Sequence, residues 1–283
     1  MSVNKDVLKT LREKSGCGMM ECKQAMFEAC EDIEKALEIL RKKGIAKAVK
    51  KETRTTKDGL VGTAISEDGK SGVMVEVACE TDFVAKTDAF ILLVNNIVSE
   101  VNKAGNISRV QDMPDNIKNM VIEAIGRLGE NIKVSKLARF DMKAQKGLVI
   151  FYRHPGDKLG VMLEVKCDKE GVKELQLMLK DVAMQVAAMN PSWIKPEDIP
   201  QEVMLKEKEV YVQQEKDSGK PDKIIEQIAA GRLKKFYSQV CLLDQEFIKN
   251  PKIKVRDIIA DIKVKTGVSI EISRFARFKV GEE

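Results

Sequence analysis

The chain has 283 residues, enough for about two domains and a sizeable core. Apolar residues make up 43% and charged residues 33%, with 49 basic against 44 acidic side chains and a net charge of +5. This is a soluble composition whose small, dispersed charge excess requires no direct nucleic-acid partner. One histidine, His154, leaves His-based metal sites and triads almost no material, and six cysteines without a Cys-x-x-Cys pair read as reduced thiols of a cytoplasmic protein.

The start, Met1 to Val7, lacks the apolar core of a signal peptide, and no apolar run approaches the roughly 18 residues of a membrane span, so no membrane partner is expected. Residues 1–54 are predicted to form a three-helix docking module and a linker. Val7, Leu8 and Leu11 make the first apolar face, and Gly16-Cys17-Gly18 breaks it. Met19, Cys22, Ala25, Met26 and Ala29 recur at helical spacing. Asp32 can cap a third helix carrying Ile33, Ala36, Leu37 and Leu40, with Gly44 as its end. The stretch Lys47–Lys57 reads as a solvated linker or as a phosphate-binding strip.

The remainder contains an internal duplication. Gly72-Val-Met-Val-Glu-Val-Ala-Cys79 recurs as Gly160-Val-Met-Leu-Glu-Val-Lys-Cys167 at an offset of 88 residues. Gly129, Ile132, Ser135, Ala138, Arg139 and Phe140 recur as Gly267, Ile270, Ser273, Ala276, Arg277 and Phe278 at an offset of 138, so the second copy carries 50 extra residues.

The first copy, 55–142, opens on strands around the hairpin signal Asp68-Gly69. A helix follows with Phe90, Val94, Ile97 and Val101 on one face and Gly105 at its end; Asp115 can cap another, and a strand closes the copy near Asn131 to Phe140. The second copy, 143–191 and 248–283, repeats this with strands at Leu148–Arg153 and Val161–Cys167, helices carrying Leu175–Val186 and Val255–Ile262, and a last alternating strand, Val268 to Val280. The predicted class is α+β: a helical module, then two duplicated subdomains, each a small antiparallel sheet with helices on one face. The insert, 192–247, is predicted to hold two charged helices broken at Ser218-Gly219-Lys220-Pro221, with a narrow seam of Val203, Val210, Ile224, Ile228 and Phe236. That pattern fits an ordinary surface hairpin, or an antiparallel arm used for self-association as a homodimer or for partner contact.

Gly69-Lys70-Ser71 resembles the end of a phosphate-binding loop, but its preceding glycine is too distant and the segment sits in a hairpin turn. Cys79 and Cys167 occupy matching strand positions, which favours packing over nucleophilic chemistry. Thr81-Asp82-Phe83-Val84 follows the strand ending in Cys79, where the second copy has only Lys169-Glu170-Gly171. Either Thr81 or Asp82 caps a helix over an inward Phe83, or the aromatic is exposed as an interface anchor.

Those residues, continued through Ala85-Lys86, resemble the bacterial translation elongation factor Ts family, as do Ser15 to Lys23, Asp32-Ile33-Glu34, Gly129-Glu130-Asn131-Ile132, Ser218 to Pro221, Gly231-Arg232, Lys234-Lys235-Phe236 and Val280-Gly281-Glu282. The resemblance implies a guanine nucleotide-exchange factor, not an enzyme, that binds GDP-bound and nucleotide-free elongation factor Tu and needs no cofactor of its own. Arg12, Met19 and Met20 match docking positions. Asp82 and Phe83, within Thr81–Val84, match the residues that disturb the partner's magnesium site. Leu128, Gly129 and His154 match further contacts; His154 alone, in the turn His154 to Asp157, would read as a solvated turn histidine. Thr87 departs from the family's usual asparagine, and long members carry a C-terminal helical module past the last strand, so contacts of that module are not expected of these residues. From the residues alone two rivals stand: a basic RNA- or ribosome-binding protein, on Lys47–Lys57 and Lys234-Lys235, and a hydrolase or transferase with an unrecognised carboxylate pair.

Overall fold

The computed structural model describes residues 5–143, 145–169, 174–216 and 221–282. The predicted helix break at Ser218-Gly219-Lys220, and Glu170-Gly171 of the second copy, lie outside the described residues. In chain order the elements are α1 (Lys5–Ser15), α2 (Met19–Glu28), α3 (Ile33–Lys51), β1 (Asp58–Ile65), β2 (Ser71–Cys79), the single-turn α4 (Asp82–Ala85), α5 (Asp88–Ala104), α6 (Asp115–Leu128) and β3 (Ile132–Asp141). The second half contributes β4 (Gly147–Arg153), β5 (Leu159–Cys167), α7 (Glu174–Met189), α8 (Gln201–Lys216), α9 (Asp222–Val240), β6 (Glu246–Phe247), β7 (Asn250–Lys254), α10 (Val255–Thr266) and β8 (Ile270–Lys279). The class is α+β, as the alternating periods of the sequence required.

The N-terminal helices bury Leu11, Cys22, Ala25, Met26, Ala36 and Leu40 in a core of their own. Asp32 caps α3, its carboxylate accepting from the N–H groups of Glu34 and Lys35 at 2.9 and 3.1 Å. Those bonds, the Lys35 N–H foremost, hold its carboxyl below the usual range. Gly44 does not end α3, contrary to the sequence expectation, and the first residues of the supposed linker are its last turns. The reason is tertiary: a Cβ on Gly126 of α6 would meet the Gly44 Cα at 3.7 Å, so the two glycines let α3 and α6 approach closely. Ala48 then packs on the first core, and the packing of α3 on α6 offsets the roughly 1 kcal/mol helical cost of a glycine. Asp115 is the first residue of α6 and not its cap, which is Pro114; the carboxylate pairs with Lys118 at 3.2 Å instead.

Each half builds an antiparallel sheet, ordered β1-β2-β3 and β4-β5-β8, with the repeated strands β2 and β5 in the centre. Alternation along β2 sends Val73, Val75, Val77 and Cys79 toward α5 and α6. Its other face, not accounted for in the sequence reading, is also covered: Val61, Met74 and Phe140 pack against Val149 and Met162 of the second sheet. The duplication is therefore realised as two sheets packed face to face about a pseudo-two-fold axis. The Val61 N–H donates to the Asp157 carbonyl at 2.7 Å, and the equivalent Val149 N–H donates to the Gly69 carbonyl at 2.8 Å. Met142 bonds to Lys70 at 2.7 Å as Val280 bonds to Lys158 at 2.9 Å. Gly69 and Asp157, with φ of 69° and 56°, make the same left-handed turn residue in the two copies.

α8 and α9 pack on each other as an antiparallel hairpin, about 24 and 28 Å long at 1.5 Å per residue. The seam differs from the predicted one. Ile225 and Ala229 are buried, whereas Ile224 and Val210 are exposed, a rotation of about one residue on α9. Arg232 fixes that rotation by donating to Gln214 at 2.6 Å and to the buried Glu215 at 2.5 Å. At the root, the N–H groups of Ser192 and Trp193 donate to the Val240 carbonyl, and Leu242 and Leu243 donate to Trp193 and Ile194. Leu242 and Phe247 are buried in the second core, so we place the arm's proposed boundary at Val240. The small sheet β6-β7, which the sequence reading did not include, closes the return to the core.

Candidate functional site

β2 delivers the chain out of the core at Cys79, whose thiol is pushed up to about 12, chiefly by burial and then by the Glu130 charge. That value suits packing and not nucleophilic attack. Thr81 caps α4, its hydroxyl accepting from the Val84 N–H at 3.4 Å. Thr87 caps α5 directly afterwards, accepting from the Phe90 N–H at 3.2 Å. Between these caps Phe83 is 81% exposed, while Phe90, seven residues on, is fully buried. Capping by Thr81 and outward presentation of Phe83 thus coexist; the inward packing considered for Phe83 does not occur. Val84 and Ala85 lie against the first core instead. The Lys86 ammonium donates to Asp82 at 2.7 Å and lowers its pKa. An exposed pair of this kind adds little to stability, so Asp82 can exchange it for another partner at little cost.

Leu128 and Gly129 end α6, with Gly129 at φ 79° as the left-handed C-cap. They directly precede Glu130, whose carboxylate is bonded to the Thr81 turn, so both segments lie at one end of the core. His154 stands in the exposed β4–β5 turn, its Nδ1 2.9 Å from the Tyr152 hydroxyl. The same turn reaches this end through Lys158, which pairs with Asp58, the register partner of Cys79, and acts electrostatically on Asp82. Arg12, Met19 and Met20 sit on the N-terminal module. Arg12 is exposed, and its carbonyl accepts from the Gly16 N–H at 2.8 Å. Gly16 lies flat against the Arg127 side chain, which brings the α1–α2 turn to the last turn of α6. Met19 is 44% and Met20 74% exposed.

Phe27 was missed in the sequence reading. It is exposed and follows Met20 at i, i+7, so the two share a face of α2. The signal was available, because Phe27 falls off the face defined by Cys22, Ala25 and Met26. A cleft of about 350 Å³ opens beside the contact of the module with α6, lined by Lys14, Cys17, Arg41 and Lys47 from the module and Glu123 and Gly126 from α6. Burial raises the Cys17 thiol there, which makes it a poor nucleophile. No group of acidic, histidine or cysteine residues able to hold a metal ion, and no helix long and apolar enough to cross a membrane, occurs among the described residues.

Residues 80–282 match the family model described as Elongation factor TS. Elongation factor Ts of Aquifex aeolicus (strain VF5) is 42% identical over 294 residues, spanning 99% of this chain and 99% of that protein. Elongation factor Ts of Clostridium botulinum is 37% identical in strain ATCC 19397 / Type A, over 99% of this chain and 93% of that protein, and 39% identical in strain Alaska E43 / Type E3, over 97% and 92%. Near-full-length identity at this level, on a fold whose duplication and inserted hairpin follow from the sequence itself, means that the chain belongs to the elongation factor Ts family of translation elongation factors.

Proposed function

We propose that the chain is a guanine nucleotide-exchange factor that binds elongation factor Tu and promotes release of its GDP, itself making and breaking no covalent bond. The observation that carries this reading is the outward Phe83 on a doubly capped single turn, in a chain of this family. Exchange requires tighter binding to the nucleotide-free partner than to the GDP-bound one; by linkage, GDP is then weakened by the same factor. A phenyl ring removes about 150–200 Å² from water when it is taken up by a partner. Full burial of such a side chain is worth about 1.5–3 kcal/mol, or about one to two decades of affinity before ordering costs. If the receiving pocket opens only when the magnesium and phosphate site of the partner is disturbed, that energy is delivered to nucleotide release.

In this reading Arg12, Met19, Met20 and Phe27 supply docking, Thr81–Val84 the disturbance, and Leu128, Gly129 and His154 further contact. A soft, exposed thioether beside an aromatic suits an adaptable docking face. The test is release of a fluorescent GDP analogue from loaded elongation factor Tu, chased with excess GDP, with and without the chain. Acceleration that saturates with the chain's concentration is expected. An unchanged release rate at saturating concentration overturns the proposal.

A further inference from the structure

The junction between β2 and α4 presents two backbone donors, the N–H groups of Glu80 and Thr81, and both point at one carboxylate. Glu130 Oε2 accepts from each at 3.0 Å, and Glu130 Oε1 accepts from the Thr81 hydroxyl at 2.5 Å. Because Thr81 gives its hydroxyl proton to Glu130, its oxygen lone pairs are left for the Val84 N–H, and the α4 cap forms. A single turn cannot hold itself on its own hydrogen bonds. Phe83 projects from that turn almost unpacked, so its direction is set by the backbone of the turn, and the turn is set by Glu130.

The second copy provides an internal control. Its equivalent of Glu130 is Val268, a fully buried apolar residue. The neighbouring bond, by contrast, is common to both copies: Glu80 accepts from the Asn131 N–H at 2.6 Å, as Asp168 accepts from the Ser269 N–H at 2.9 Å. The repeated fold therefore uses an acid at position 80 and its counterpart 168, and has no need of one at 130. The carboxylate occurs in the copy that presents Phe83. The adjoining residues also hold the docking module: Asn131 Nδ2 donates to the carbonyls of Glu52 and Arg54 at 3.2 and 2.8 Å, and the Lys51 ammonium donates to the Gly129 carbonyl.

We propose that Glu130 is a positioning residue for nucleotide exchange, holding the Asp82–Phe83 turn in the orientation that engages the partner. This rests on the exchange reading above. The variants are Glu130→Gln, which keeps the size and one acceptor, and Glu130→Val, which installs the residue of the second copy. In the free protein, Glu130→Val should speed amide hydrogen exchange at Glu80, Thr81 and Val84, with smaller changes elsewhere. In the GDP-release assay the saturated rate should fall about fivefold, the scale of a hydrogen bond or two lost. The half-maximal concentration should barely move, and Glu130→Gln should fall between the wild type and Glu130→Val. In a Phe83→Ala background Glu130→Val should cause little further loss, only the smaller part carried by Asp82. A full additional loss in the double variant, or normal exchange with the amides of the turn unprotected, overturns the positioning role while leaving the exchange reading intact. Full activity of Phe83→Ala itself overturns the use of this turn, and the positioning role with it.

Discussion

Gly160 lies so close to Val61 of the opposite sheet that a Cβ on it would fall 2.6 Å from the valine Cγ1, and 3.0 Å from the Met74 sulfur. The pseudo-symmetric Gly72 faces Val149 and Met162 at 3.0 and 3.3 Å. Both glycines serve the close approach of two sheets. Gly160→Ala should therefore cost about 1–3 kcal/mol by overpacking, and Gly72→Ala less, because its neighbours are further away. Thermal melting of the two variants reads this directly; equal and negligible shifts would contradict the tight sheet–sheet contact.

Phe83→Ala should leave the melting temperature nearly unchanged, because the ring is 81% exposed and little core volume is lost. GDP release from elongation factor Tu should slow by about tenfold or more, as expected for an aromatic hot spot. Asp82→Ala should act in the same direction more weakly, since a short exposed carboxylate brings less area to an interface than the ring. Measuring melting and release on one preparation separates this from a structural role, in which a buried Phe→Ala change would cost about 3–5 kcal/mol.

Met20→Ala combined with Phe27→Ala should raise the concentration needed for half-maximal exchange by about tenfold, with a smaller change in the saturated rate. Both side chains are exposed on one face of α2 and belong to no core, so folding should not suffer. A titration of exchange rate against the variant's concentration checks this. A fall in the saturated rate at unchanged half-maximal concentration would place these residues in the exchange step instead of docking.

Replacing residues 195–239 by a short loop should give a folded protein whose exchange is reduced but not abolished. The cut spares the pairing of 192–194 with 240–243 and keeps Leu242 and Phe247 in the second core. A deletion extended through Phe247 should be much less stable, because it removes buried apolar side chains. Leu205, Val210 and Ile224 are exposed on the arm, so any homodimer that it mediates should be lost on deletion. Sedimentation of the two forms tests that point, and an unchanged sedimentation profile would exclude the arm from self-association.

Cys30 is exposed, whereas Cys22, Cys79, Cys167 and Cys241 are buried. Burial pushes the Cys79 thiol up to about 12 and the Cys241 thiol up to about 11. A maleimide at pH 8 should modify Cys30 first and reach Cys79 and Cys241 only on unfolding. Raising the pH to 9 should still leave Cys79 unlabelled in the folded protein, which peptide mapping would show.

The local physics of the chain was legible in its residues. The duplication, the alternation of β2 and β5, the apolar face of α5, the Asp32 cap and the paired arm helices all follow from periods of two and 3.6 residues and from capping chemistry, which act within a few residues. The Thr81 cap was legible for the same reason, and the family motifs marked the turn that it begins. Contacts between distant segments decided the rest. Gly44 continues α3 because Gly126 lies opposite it, Ile225 replaces Ile224 in the seam because Arg232 reaches Glu215, and β2 is buried on both faces because the second sheet covers it. Whether Phe83 points inward or outward was open in the sequence, since capping by Thr81 is compatible with either. Val84 and Ala85 fill the space over the first core, and Glu130, remote in sequence, holds the turn so that the ring stays in solvent.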